Sequence, residues 1–253
     1  MTVYSSSATT ASWYRDSIAV ELEPALPLKG DHRADVCVIG AGVTGCSAAL
    51  HLAQQGYHVI LLEALNVGHG ASGRSGGQIL PGLGTDIRTV ENALGRSAAR
   101  DIWEMSREAV RLTAHLVDHH QIPCEMSWGY LHAAVKPRHV VELRQWQERM
   151  VRDFDYHGLE WREGDALREH VVTDAYPAAL WEREAGHLHP LNYTLGLARA
   201  AQQAGAILHQ FSPVVDIRHG KQATVVTECG RVTADHVVIA TNAYGDRLVP
   251  QMS

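Results

Sequence analysis

Three glycines in the run Gly40-Ala-Gly42-Val-Thr-Gly45 follow a short apolar stretch and open a segment of helical periodicity. Glycines at this spacing let backbone rather than side chains meet a ligand. Gly40 permits a tight turn, Gly42 lets the chain approach a pyrophosphate, and Gly45 lets a helix pack close to a strand. Free amides at the start of that helix, at Val43 and Thr44, would face the phosphates with about half a positive charge behind them. Glu63 stands 18 positions beyond Gly45, with Ala64 after it. A carboxylate near that spacing accepts from the hydroxyls of an adenosine ribose and repels a 2′-phosphate, which disfavours NADP. The glycine pattern alone is weak. A strand before it, a helix after it and an acid closing the next strand make it specific.

A second glycine-rich segment, Gly68-His-Gly70-Ala-Ser-Gly73-Arg-Ser-Gly76-Gly77-Gln78, begins five residues after Glu63. A simple NAD dehydrogenase has no use for such a loop so soon after its first strand pair. FAD is longer, and its ribityl chain and ring system must run along the protein beyond the pyrophosphate. Gly73, Gly76 and Gly77 would let main-chain amides reach such a ligand. Ser72 and Ser75 can donate hydrogen bonds, and Arg74 can offset phosphate charge. As bare composition the segment also fits a flexible surface loop.

The elements that must position these residues are readable in outline. Residues 1–33 look like a loosely structured arm punctuated by Pro24, Pro27 and Gly30, with Trp13 and Tyr14 as anchors. Asp35–Gly40 and His58–Glu63 read as buried parallel strands flanking a helix over Thr44–Gln55, a βαβ unit of about 30 residues. Helices are expected over Asp101–His120 and Arg138–Phe154, with strands at Trp128–Val135, Leu159–Trp161 and Ala179–Glu182. A further helix over Leu191–Gln203 precedes strand-like runs at 206–209, 213–219 and 224–228, set apart by glycine turns in the manner of a meander. Val237–Thr241 reads as another buried parallel strand.

Other constellations carry less. Among 16 histidines, His115 and His119 share a helix face, but Leu116 stands where a zinc hydrolase of the HExxH type needs Glu. They read as solvated helix residues, and no metal site is expected. His187 and His189 could act as a general base, although a structural role before Pro190 suits them better. No GxSxG elbow is present. The four cysteines, Cys37, Cys46, Cys124 and Cys229, stand outside any CxxC pair and read as core thiols in a reducing cytoplasm. The formal charge of -6, with Lys and Arg dispersed, excludes a basic nucleic-acid footprint. No apolar run approaches the ~20 residues of a membrane span, and residues 1–11 lack the layout of a secretory signal.

Glu63, Val67–Gln78, His187-Leu-His-Pro190 and Ala240-Thr-Asn-Ala-Tyr244 together resemble the D-amino-acid-oxidase-like superfamily of FAD oxidoreductases. Within it the chain looks most like the gamma-glutamylputrescine oxidoreductase group of bacterial amine oxidases, and Gly70–Gln78 is the most specific part of the likeness. The resemblance implies an α/β fold: a discontinuous Rossmann-like FAD-binding domain at 34–85 and 188–253, and an incomplete α+β substrate domain at 86–187. It implies main-chain contacts from Val214, after Ser212-Pro213, to adenine, and places Thr241 and Asn242 near the cofactor. Some relatives attach the flavin through a His in the second loop; Arg74 aligns there, so FAD is expected to bind non-covalently. Gln78, which ends that loop, is the expected residue facing the isoalloxazine.

The implied reaction is oxidation of a C–N bond in a small amine or amino acid, with dioxygen reoxidising the flavin. Relatives of this group continue well past the Asn-Ala-Tyr segment. A second expectation is therefore a catalytically incompetent FAD-binding fragment that needs a second chain to supply the remaining half.

Overall fold

Strand residues buried on both faces must be apolar throughout, and the run Val59-Ile-Leu-Leu62 meets that demand with all four side chains buried. The computed structural model describes residues 12–245 and Leu248. A one-turn helix α1 (Trp13–Asp16) precedes β1 (Gly30–Ile39), α2 (Val43–Gln54) and β2 (Val59–Leu62). A 3-10 turn at Ala71–Gly73 leads to β3 (Gln78–Ile79), α3 (Ile87–Leu94) and α4 (Arg96–His119). Next come β4 (Ser127–Ala134), α5 (Pro137–Phe154), β5 (Leu159–Glu163), α6 (Gly164–Arg168) and β6 (Ala178–His187). The chain continues through α7 (Pro190–Gln203), β7 (Ile207–His209), β8 (Val214–Arg218), β9 (Ala223–Thr227) and β10 (Gly230–Ile239), and then a 3-10 turn at Asn242–Gly245.

The chain divides into two compact units. The first takes in the described residues up to Gly76, Leu116–Cys124 and those from His189 onward; the second holds Gly77–His115 and Glu125–Leu188. This division departs from the 1–33, 34–85, 86–187 and 188–253 partition: the described arm residues group with the first unit, Leu188 with the second, and two longer segments change sides. Residues 77–85 group with the second unit because Gln78 and Ile79 pair with β6. Residues 116–124 group with the first, where Cys124 O accepts from His189 N at 2.7 Å.

The first unit is built on a six-stranded sheet of order β7-β2-β1-β10-β9-β8. β1 pairs in parallel with β2 and β10, β2 with β7, while β10, β9 and β8 form an antiparallel meander. Cys37, Ile39, Ile60, Leu62, Val225 and Val232 form its core with Leu28. Fully burying a side chain of this size contributes ~1.5–3 kcal/mol. Two strand starts in this sheet differ from the sequence expectation by five residues or more. β1 starts at Gly30 rather than Asp35, and β10 runs from Gly230 rather than Val237, because Gly30↔Gly230 through Ala34↔Ala234 extend the ladder. Residues 30–33 read as arm in the sequence because they are polar, and their partner lies 200 positions away. Cys37, Cys46 and Cys124 are buried, and burial pushes the Cys37 thiol up to about 12. Cys229 is exposed at the β9–β10 turn rather than in a core.

In the second unit β6 is the central strand. β4 pairs along one edge, and β5 and β3 share the other. Gly129 breaks the β4 register at φ +100°, where a Cβ would lie 1.6 Å from the Trp181 ring. The core of Trp103, Met150, Tyr156, Leu159 and Leu180 encloses a carboxylate, Glu182. Tyr156 Oη donates to Glu182 Oε1 at 2.8 Å, and His132 Nε2 lies 2.7 Å from Oε2. α3 and α6 are not foreshadowed by the sequence pattern; α3 starts at a local cap, with Asp86 Oδ1 accepting from Arg88 N at 2.8 Å. Among the described residues no helix is long and apolar enough to cross a membrane.

Leaving a buried carboxylate one donor short costs about 1–3 kcal/mol. Tyr156→Phe should therefore lower the unfolding free energy by that amount in urea titrations, without changing the first unit.

Candidate functional site

Parallel strands that end side by side leave a crevice beyond their carboxyl ends, where ligands of open α/β sheets bind. Here the ends of β1, β2 and β10 open onto a cleft of about 790 Å³ within the first unit. Its floor is set by close backbone contacts. A Cβ on Gly45 would lie 1.8 Å from Gly40 O, and one on Gly40, at φ +100°, would lie 2.6 Å from Ala240 O. Only glycine allows α2 to start so near the end of β1.

The two glycine-rich segments form one wall. Gly42, the N-cap of α2, has no side chain to cap with; instead Ser72 Oγ accepts from Val43 N at 3.0 Å. Gly68 N donates to Ala41 O at 3.0 Å. A Cβ on Gly42 would lie 2.7 Å from Ser72 Oγ, so the loops touch at van der Waals limits.

Glu63, just past the end of β2, meets the fingerprint turn at Ala41. Its Oε2 accepts from Ala41 N at 2.8 Å and its Oε1 from Leu65 N at 2.9 Å. Burial pushes its carboxyl above the ordinary carboxylate range, against the pull of the backbone donors at Leu65, Ala41 and Ala64. Beside it, residues 209–212 are laced to residues 63–67. Glu63 N donates to His209 O at 2.9 Å, Ser212 N to Glu63 O at 2.8 Å, and Val67 N to Gln210 Oε1 at 2.9 Å. This lacing brings Pro213 and Val214 to the cleft wall. The remaining wall is the turn after β10, where Tyr244 N donates to Thr241 O at 3.0 Å. Thr241 Oγ1 is buried there with no hydrogen-bond partner among the described residues.

Of the residues singled out from sequence, Gly40, Gly42, Glu63, Ala64, Ser72, Arg74, Val214, Thr241 and Asn242 line this cleft. Val43, Thr44 and Gly45 form the first turn of α2 behind it. Gly73 is buried in the 3-10 turn, with Ser75 and Gly76 exposed beyond. Gly77 and Gln78 belong to the second unit, where Gln78 lines a separate cavity of about 460 Å³ with Ile79, Leu83 and Met105. His187 ends β6, and His189 caps α7 by accepting from Asn192 N at 3.0 Å through Nδ1. His69, Gly70, Ser212 and Tyr244, which stand in or beside the sequence motifs without an assigned role, also line the cleft, as does Glu228. Gly70 and His69 lie inside the second glycine motif, whereas Glu228 carries no local signal.

A family model described as FAD dependent oxidoreductase (DAO) matches residues 35–253. The gamma-glutamylputrescine oxidoreductase of Escherichia coli is 37% identical over 96% of this chain and 57% of its own length. A probable oxidoreductase OrdL of Haemophilus influenzae is 39% identical over 88% of this chain and 52% of its own. The chain thus spans about half the length of the curated relatives it matches. Among solved structures, an L-amino acid deaminase from Proteus myxofaciens superimposes with a TM-score of 0.75 at 21% identity, over 93% of this chain and 51% of the other. Glycine oxidase from Geobacillus kaustophilus gives 0.70 at 22% identity, over 87% and 58%. These two similarities show a shared fold.

Gly42→Ala should push Ser72 off Val43 N and remove a helix cap, a loss of about 0.5–2 kcal/mol. Gly45→Ala meets backbone rather than a side chain, so it should cost more, about 1–3 kcal/mol or above. Chemical denaturation ranks the two; equal costs would contradict the steric difference between the two positions.

Proposed function

The chain belongs to the family of FAD dependent oxidoreductases, and from that premise we propose that its cleft binds FAD non-covalently for oxidation of a C–N bond in a small amine. The observation that carries this reading is the junction of the two glycine segments, Val43 N to Ser72 Oγ, along a single cleft that Glu63 also lines.

The residues present fit the group. Backbone at Gly40 and Gly42 comes closer than any side chain would allow, as a pyrophosphate requires. The orphaned Thr241 Oγ1 is a polar atom in the wall that a ligand would satisfy. Glu63 accepts from backbone at Ala41 and Leu65, with Ala64 a further backbone donor, and a carboxylate offers about four acceptor positions in all, which leaves room for a ribose hydroxyl. Arg74 would sit against phosphate, and its guanidinium is no nucleophile for covalent attachment. Val214 would present its main chain to adenine.

When bound, FAD would supply the acceptor for a hydride from the carbon beside nitrogen, with dioxygen as final oxidant. The protein's part is to bind and orient it. A substrate of the gamma-glutamylputrescine type is supported by the 37% identity to the relative of that name. Buried thiols outside any disulfide at Cys37 and Cys46 support a reducing cytoplasm as its location. The relatives are matched over 57% and 52% of their length, and in a second reading these residues bind FAD while turnover of an amine also needs what the rest of that length supplies.

Absorbance of the purified chain with added FAD separates these readings. Bound flavin that bleaches anaerobically on adding gamma-glutamylputrescine, and releases peroxide in air, is the result expected of the oxidase. Bound flavin indifferent to amines would point to the second reading, and no uptake of FAD would sink both.

Glu63 adds a pH dependence. Ribose hydroxyls donate best to the ionised carboxylate, and burial raises the pH at which it takes up a proton. FAD affinity should fall on acidification at a pH above the ordinary carboxylate range. Because the folded state holds this proton more tightly, the stability of the FAD-free protein should decline as pH rises from about 4.5 through the raised value. Glu63→Gln should weaken FAD on the order of 10- to 100-fold at neutral pH, the loss of about 1.5–3 kcal/mol for a bond to a charged group. It should also flatten the acid limb in fluorescence titrations.

A further inference from the structure

The N-terminal arm is fixed to the first unit at the start of α7. Ala19 N donates to Asn192 Oδ1 at 3.0 Å, Asn192 Nδ2 donates to Ser17 O at 3.3 Å, and Ser17 Oγ lies 3.1 Å from His189 Nε2. The rings of Trp13 and Tyr14 pack on the His189 imidazole with centroids 5.3 and 5.0 Å away. This docking brings Arg15 to the second glycine segment, where its NH2 lies 3.3 Å from His69 Nδ1. At the other ring nitrogen, Arg74 NH2 lies 3.2 Å from Nε2, and Arg74 Nε donates to His69 O at 2.8 Å. His69 and Arg74 both line the cleft.

A neutral imidazole has one nitrogen with a lone pair and one with a proton, and a guanidinium only donates. The ring can therefore accept from Arg15 or from Arg74, but not from both. A protonated ring could accept from neither. Burial, Arg74 and Arg15 together hold His69 below the ordinary histidine range, so the ring is neutral at neutral pH and the competition is the working state. Among the described residues neither guanidinium forms an ion pair with a carboxylate.

We propose that His69 is a positioning residue that passes its one lone pair between Arg74 in the cleft wall and Arg15 in the arm, so that an anion engaging Arg74 tightens the arm. The exchange itself follows from the three side chains; naming the anion as the pyrophosphate of FAD rests on the function proposed for the cleft. By linkage, a docked arm favours the anion by the same factor that the anion favours the arm.

Two readouts on the full chain test this: the tautomer of His69 from long-range imidazole ¹H–¹⁵N spectra, and hydrogen exchange at the Ala19 amide. Arg74→Ala should leave His69 accepting at Nδ1 and slow Ala19 exchange several-fold. Arg15→Ala should leave it accepting at Nε2. In a His69→Ala background, Arg74→Ala should no longer affect Ala19. The same tautomer in both arginine variants, or unchanged Ala19 exchange in Arg74→Ala, overturns the exchange. FAD added to the unmodified chain should slow Ala19 exchange as Arg74→Ala does, and Arg15→Ala should weaken FAD several-fold. FAD that binds, by fluorescence quenching, without slowing Ala19 overturns the coupling. FAD that does not bind removes the cofactor reading of the cleft, while the two arginine variants still decide the exchange.

Discussion

Gly45 and Gly40 meet so closely that a single added methyl group would lie 1.8 Å from a carbonyl oxygen. That contact fixes how near α2 starts to the end of β1, and so where the first amides of the helix point. β1 is itself held between β2 and β10 in parallel register, which brings three strand ends to one edge of the sheet. Much of the polar lining of the cleft hangs from those ends or from loops that touch them. Glu63 follows β2, Thr241 follows β10, and Ser72 reaches back to the helix start.

Among the described residues, Glu182 and Glu63 hold their carboxylates in different settings, the first buried and the second half-buried. Glu182, in the second unit, is sealed among core residues, with a tyrosine hydroxyl and a histidine on its two oxygens. It joins strand to core. Glu63, in the first unit, meets only backbone N–H groups among the described residues and lines an open cleft. Desolvation acts on both, but only Glu63 has accessible lone pairs in a cavity large enough for a ligand. A buried acid becomes a binding group when its remaining acceptor positions face a space that something else can fill.

The cleft also depends on segments far from its motifs. Residues 209–212 carry no fingerprint, yet their hydrogen bonds to residues 63–67 bring Val214 to the wall. The arm reaches the second glycine segment only because Asn192 and His189, at the start of α7, hold it. Each of these contacts spans more than a hundred positions in the chain.

That distance separates what the amino-acid order determined alone from what folding decided. The glycine spacing, the apolar runs of β1 and β2 and the acid at 63 are local signals, each limited by sterics or burial within about 30 residues. They were legible because few other residue types could satisfy those limits. The early start of β1 at Gly30, the ten-residue length of β10 and the grouping of 116–124 with the first unit were not, since each depends on a partner chosen by three-dimensional packing. Polar strand ends such as Asp31 and Arg231 become strand only when paired with each other. The placement of His69 between two arginines belongs to the same class: sequence put three donors and acceptors in the chain, and only the fold set two of them against one lone pair.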